Sequence, residues 1–503
     1  MAICSNEKIT AAANNNSTVV NVSGVRGNIF DCNGIPLTGT QYKKYAVITP
    51  TPQTIMYCST VLTGDEKYSV LGKLKNKKPA VIQVQKDMQC AGIINIDAQE
   101  HTAEDNLCTH LLGYTDSSNH GVSGLEKAYD HLLYTDKKIT VRYACGGTGE
   151  VLSGIEPQIN EHSEVTASGI MITIDNTVQR VLENAADSLK KGAVIVSEAG
   201  SGKIRGMVSR PSFNVSDLAA SLHSEDAPFL NRNLVGYNVG SVFKPCVAAS
   251  ALQNGKWNNF ITECTGTNEI GGKIFACHEA QGHGSVNLAD ALINSCNSYF
   301  YRFAEIIGAE NIVNTASVFG FGYKKSLCEG ITTSGENLPE AQKLQNGISL
   351  ANISIGQGEL LASPVTMLGL YEAIACSGVY HTPTLFEGIV KNGVLKQEAN
   401  PPSAIRAISE KNAQRLKSYL SEVVISGTGK NAFSDLVSVA GKTATAQTGW
   451  NEEGKATQHS WFCGFFPVEN PKYVVVVLVE DSVGIESTAS KIFKEIAEGL
   501  YTP

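Results

Sequence analysis

Three strings in this chain combine residue types that can make and break an acyl bond: Ser241-Val242-Phe243-Lys244, Ser295-Cys296-Asn297 and Lys442-Thr443-Ala444-Thr445. A lysine three residues after a serine lies one helical turn away on the same face, so Lys244 can reach the Ser241 oxygen. Gly240 lets the chain turn sharply into a helix. That places Ser241 near a helix N-terminus, where its N–H points outward and the dipole favours developing negative charge. Pro245 suits the first turn, where its missing N–H costs little. A lysine is a base at neutral pH only if its pKa falls well below ~10.4. Burial and a second cation, Lys442, push in that direction. Ser295 can relay a proton between Ser241, Lys244 and a leaving amine, and the Asn297 amide can hold a substrate amide. Lys442 to Thr445 is expected to be an edge strand. The Thr443 and Thr445 hydroxyls should face a cleft, with Lys442 positioned to attract a carboxylate and the Thr445 N–H joining that of Ser241 as an oxyanion hole. Each string alone is common: Ser-x-x-Lys is usually a helix cap, Ser-x-Asn a turn, and an isolated lysine a solvated strand end. Their ordered combination carries the signal.

The elements that must position these strings are legible in outline. Residues 1 to about 165 alternate short β-like runs (Ala46 to Ile48, Val81 to Val84) with Gly, Asn, Pro and Lys turns. Gly124 to Leu133 is the one helical candidate picked out there, and Glu156 to Ala167 reads as a polar linker. From Ser168 the texture changes. Ile170 to Ile174 reads as a strand, and Asp175 can cap an amphipathic helix through about Lys191. Gly192 ends that helix and Ala193 to Glu198 is a strand. Helices are expected after Lys244, after Leu288 and from Ser409 to Val424. Strands follow at Val437 to Thr445, His459 to Phe466 and Tyr473 to Val479, and a last helix at Ala489 to Leu500. Strands at both ends with helices between them suit a single antiparallel sheet. The expected fold class is multidomain α+β: an antiparallel sheet flanked by helices over residues 166–503, and a smaller β-rich N-terminal module over 1–165.

Composition excludes several alternatives. With 503 residues, 42% hydrophobic and 17% charged, the chain suits two or three globular domains. A net charge of −8 gives no electrostatic reason to expect nucleic acid. The lysines from Lys73 to Lys78 read as a solvated turn. No stretch of ~20 apolar residues is present, and Met1 to Thr10 offers no signal-peptide core. The 13 cysteines include no Cys-x-x-Cys pair and no Cys/His ligand spacing, which argues against zinc or iron–sulfur, and no cofactor is expected. Cys264 and Cys277 bracket a hairpin turning at Gly271-Gly272 and are either a disulfide or, more blandly, two buried thiols.

With these strings in place, residues from about 166 to 503 resemble the transpeptidase domain of a class B penicillin-binding protein. Supporting strings are Arg210-Pro211-Ser212-Phe213 with Asn231-Arg232, Gly356-Gln357-Gly358 before Ser363-Pro364, and His459-Ser460-Trp461-Phe462. Arg26-Gly27-Asn28-Ile29 and Gly121 to Glu126 resemble N-terminal motifs of the same family, so the likeness spans nearly the whole chain. The resemblance implies a pedestal-like or dimerisation-like N-terminal module. Its implied catalytic set is Ser241, Lys244, Ser295, Asn297 and Lys442, with Thr443, Ala444, Thr445, Gly356 and Gln357 along the substrate. It also implies peptidoglycan stem peptides ending in D-Ala-D-Ala as substrate, β-lactams as covalent inhibitors, and a membrane glycan polymerase as partner. The expected location is the outer face of the cytoplasmic membrane, below an anchoring helix that this sequence does not contain. Two positions depart from the family pattern: Ala444 where Gly is usual, and Cys32 where Arg is usual, the latter expected far from the chemistry. Two readings compete. A lactamase lacks its deacylating Glu-x-x-Leu-Asn string here, and a β-lactam sensor or idle scaffold is disfavoured by the intact catalytic set.

Overall fold

A computed structural model of the chain describes residues 16–101, 107–152, 154–256, 259–452 and 455–501; the reading of Met1 to Thr10 falls outside them. The run Val474 to Val479 has no polar alternation because both faces of its strand are covered. Tyr473–Val479 is the middle strand of a five-stranded antiparallel sheet ordered Ile204–Arg210, Gly192–Glu198, Tyr473–Val479, Lys455–Phe466 and Ala440–Glu452. Successive side chains point to opposite faces. Val474, Val476 and Leu478 therefore enter one core, and Val475, Val477 and Val479 another. The first core includes the helix Pro364–Ala375, buried at every position and capped by Ser363. The second is closed by Asn176–Ala185 and Thr488–Leu500, through Val178, Leu182, Ile492, Phe493 and Ile496. The sheet thus brings together strands from residues 192–210 and 440–479, with helices between them in the chain, as expected.

The helices fall close to their expected places: Lys244–Gln253, Leu288–Ile293 and Glu410–Ile425, the last capped by Ser409. Asp175 accepts hydrogen bonds from the Thr177 and Val178 N–H groups, but the helix it starts stops at Ala185, short of Lys191. The edge strand begins at Ala440, three residues after the expected Val437.

More differs in the N-terminal part. Pro52–Val61 and Gly64–Lys75 are helices, so Lys73 and Lys75 close a helix rather than form a turn. Each helix buries only two residues (Thr54 and Cys58; Val70 and Leu74), too few to leave a readable apolar stripe. Gly124 to Leu133 is two short helices broken at Tyr129. The presumed linker contains Gln158–Asn160, which pairs with Thr140 to Arg142, and a helical turn at Ser163–Thr166. The N-terminal residues also reach into the C-terminal half: Asn28–Phe30 pairs in parallel with Gly169–Ile172 in a four-stranded sheet. Among the described residues no helix is long and apolar enough to cross a membrane.

Candidate active site

Two glycines build the turn that carries Ser241. Gly240 has φ +60°, and a Cβ there would sit 3.2 Å from the Ala446 Cβ and 3.3 Å from that of Ala444. Its N–H donates to the Gly356 carbonyl at 2.8 Å. Gly356 itself has φ +73°, and a Cβ on it would meet the Gly240 carbonyl oxygen at 2.1 Å. A side chain at Gly356 would collide with backbone, and one at Gly240 would hold a left-handed φ and have to push two alanine methyls aside. Ser241 lies in the resulting 3₁₀ turn, Gly240–Phe243, and is partly exposed. The α-helix proper starts one turn later at Lys244, whose N–H donates to the Ser241 carbonyl, with Pro245 in its first turn. Tyr371 fixes the turn from behind by donating to the Val242 carbonyl at 3.0 Å.

Lys244 is fully buried and draws the second string to it. Its Nζ donates to the Ser295 carbonyl (2.7 Å), Ser295 Oγ (3.2 Å) and Asn297 Oδ1 (2.7 Å), and stands 5.3 Å above the Phe300 ring. Ser295 adopts φ +53°, a left-handed conformation that turns its carbonyl and hydroxyl toward the same ammonium. Burial lowers the Lys244 pKa to about 7, against an opposing pull from Cys296 and Cys277.

Lys442 is fully buried, with Nζ donating to the Thr443 carbonyl (3.2 Å) and Thr428 Oγ1 (3.4 Å). Burial, reinforced by the charge of Lys244, holds its pKa well below the usual lysine value. Thr443 donates to Thr428 Oγ1 at 3.0 Å and is half-buried, and Thr445 is exposed. Thr428 therefore joins this group although no string marked it; it sits in a Gly-Thr-Gly turn after a long helix. The strand occupies the sheet edge, as expected. Ala444 is buried in the first core beside Gly240, with its methyl behind the strand. Gln357 is placed by its N–H, which donates to the Asn352 carbonyl.

Cys264 and Cys277 are two buried free thiols, the blander of the two readings; against the expectation of no Cys/His ligand set, they form with Cys296 and His283 a group whose donor atoms all lie within 4.8 Å of one another. Linear spacing could not reveal the set, because its four members come from four separate elements.

The match to known proteins follows this geometry. Residues 192–500 match the family model described as the penicillin binding protein transpeptidase domain. This chain belongs to the class B penicillin-binding proteins. It is 28% identical to the stage V sporulation protein D of Bacillus subtilis, over 95% of this chain and 78% of that protein. It is 26% identical to the peptidoglycan D,D-transpeptidase MrdA of Haemophilus influenzae, over 76% of this chain and 63% of that one. In fold it is similar to a D,D-transpeptidase domain from Eggerthella lenta (TM-score 0.69, 24% identity, 95% and 98% of the two chains). It is likewise similar to a Helicobacter pylori PBP2 solved in complex with MreC (TM-score 0.71, 22% identity, 96% and 98%).

The remaining strings of this penicillin-binding protein make contacts of their own. Trp461, fully buried, donates through Nε1 to the Asn238 carbonyl at 3.1 Å, tying the second strand of the edge hairpin to the approach to Ser241. Arg232 pairs with Glu480 at 2.8 Å, and Tyr237 donates to the same carboxylate at 2.6 Å. The two N-terminal strings meet each other: Arg26 pairs with Glu126 (2.8 Å) and Asp130 (2.7 Å). Cys32 lies beside Asp175, the cap of the helix Asn176–Ala185, where burial pushes its thiol up to about 11.

Proposed function

We propose that Ser241 is the acylated nucleophile of a peptidoglycan D,D-transpeptidase and that neutral Lys244 is its base. The observation that carries this reading is the buried Lys244, held to about 7 and bonded to both Ser295 and Asn297 one turn from Ser241. Lys244 takes the Ser241 proton as Oγ attacks the carbonyl of the penultimate D-Ala of a stem peptide. Ser295 Oγ passes a proton to the departing terminal D-Ala, and the acyl group then transfers to an amine of a neighbouring strand. The N–H groups of Ser241 and Thr445 stabilise the oxyanion, and Asn297 holds the substrate amide. Thr443 and Thr428 present hydroxyls to the substrate carboxylate with Lys442 behind them. Gln357, after the Gly356 turn, lines the substrate from the opposite side.

The boundary near residue 165 separates a non-catalytic module from the transpeptidase unit in this reading. The protein works on the outer face of the cytoplasmic membrane with a membrane glycan polymerase. A Helicobacter pylori relative of similar fold was solved with MreC, and a Mycobacterium tuberculosis PBP3 with aztreonam, which supports cell-wall partners and β-lactams as ligands. Benzylpenicillin should form one covalent adduct, on Ser241, that persists because no Glu-x-x-Leu-Asn string follows Ser295 to supply a lactamase-type base; Ser241→Ala should abolish it in a folded protein. Peptide mapping of the adduct to another residue, or rapid turnover of nitrocefin, would reject the assignment.

A further inference from the structure

We infer that Cys264, Cys277, His283 and Cys296 form a tetrahedral zinc site that locks the Ser295-Cys296-Asn297 segment in place. The donors arrive from four places: the end of the strand Thr262–Cys264, the residue after the hairpin strand Lys273–Ala276, the residue before the strand Gly284–Val286, and the position before the helix Asn297–Ile307. His283 Nδ1 stands 3.5 Å from Cys264 Sγ and 3.6 Å from Cys277 Sγ. Zinc bound to sulfur at ~2.3 Å and to nitrogen at ~2.05 Å in a tetrahedron sets sulfur–nitrogen edges of about 3.6 Å. A disulfide would instead need the two sulfurs at ~2.05 Å. The three cysteines are buried and His283 is half-buried, which leaves one side for metal entry.

Three thiolates and one imidazole are a closed donor set with no position left for water or substrate, so the metal is a structural tie and takes no part in bond making. Binding one Zn²⁺ releases three thiol protons and leaves the site with a net charge of one negative. Its place in the fold gives the tie a purpose. Cys296 separates Ser295 from Asn297, and both of these hold Lys244 Nζ. The left-handed Ser295 is also unfavourable for a side-chain-bearing residue. A metal at Cys296 anchors that conformation to the hairpin Thr267 to Ala276 and to the strand pair Thr262–Cys264 and Gly284–Val286. Cys296 is thus a positioning residue for Lys244.

The test is the metal content of the full chain, purified reduced and exchanged into zinc-free buffer. One zinc per chain is expected, and Co²⁺ put in its place should give the intense sulfur-to-cobalt charge-transfer band of a tetrahedral thiolate site. Cys264→Ser and His283→Ala should lower zinc content at least tenfold, and Cys90→Ser, outside the cluster, should leave it unchanged. If the cluster variants do not fold, the wild-type cobalt spectrum decides alone. Removing zinc should slow acylation at saturating penicillin at least tenfold, change initial non-covalent binding little, and be reversed by zinc. A folded reduced protein that holds no zinc or cobalt, or an intact mass showing Cys264 joined to Cys277, overturns the site. Unchanged acylation after zinc removal overturns the positioning role. Neither metal readout depends on which residue penicillin acylates.

Discussion

Replacing Lys244 with Met separates the two consequences of burying a lysine. Its pKa lies at about 7 in the folded chain and at ~10.4 in the unfolded one. Between those values the unfolded chain holds a proton that the folded chain has released. Unfolding free energy therefore rises with pH in this window, by about 1.4 kcal/mol per pH unit from this residue. Below about pH 7 both states are protonated and the contribution is flat at its lowest. Across the window the span is ~5 kcal/mol, large against a typical domain stability of 5–15 kcal/mol. In Lys244→Met the slope of stability against pH should drop by at least about 1.4 kcal/mol per unit, because relief of Lys442, which Lys244 depresses, also narrows that residue's own contribution. The lost bonds to Ser295 and Asn297 would add a destabilisation that does not vary with pH. Urea unfolding of both proteins at pH values from about 7 to 10 measures the difference in slope. The same titration governs chemistry. At about one unit below the pKa a tenth of the lysine is neutral, so penicillin acylation should fall about tenfold per unit below pH 7 and level off above about 8. Equal slopes for the two proteins, together with acylation flat from about pH 5.5 to 8.5, would refute the assignment of a neutral buried lysine as base.

Gly240→Ala should slow acylation at least ~30-fold and destabilise by ~2–3 kcal/mol, since it combines a left-handed φ with contacts at 3.2 and 3.3 Å from Ala446 and Ala444. Stopped-flow acylation and thermal unfolding check it. Ala444→Gly removes one buried methyl behind the strand, so acylation should change less than about tenfold and stability by ~1 kcal/mol; a hundredfold gain in acylation would show that Ala444 blocks the site. Thr428→Val deletes a partner of both Lys442 and Thr443 and should weaken initial penicillin binding about five- to tenfold, with less effect on the acylation step, measured by separating the two in progress curves.

Residue type and order alone determined the reaction class. A serine, its lysine one turn on, a Ser-x-Asn and an edge-strand Lys-Thr are local patterns, and the glycine before Ser241 announced its turn. The sheet was legible for the same reason, since uninterrupted β-branched runs such as Val474 to Val479 record burial on both faces. Short helices of the N-terminal part were not, because two buried residues per helix leave no period to read. What only the tertiary structure decided are the meetings between distant segments. Gly356 has to be a glycine because Gly240 packs against it, and Thr428 matters because Lys442 and Thr443 converge on it. The same holds for the thiols: Cys264, Cys277, His283 and Cys296 follow no ligand spacing along the chain, and their donors come within 4.8 Å only when two strand pairs and the start of a helix fold onto one point.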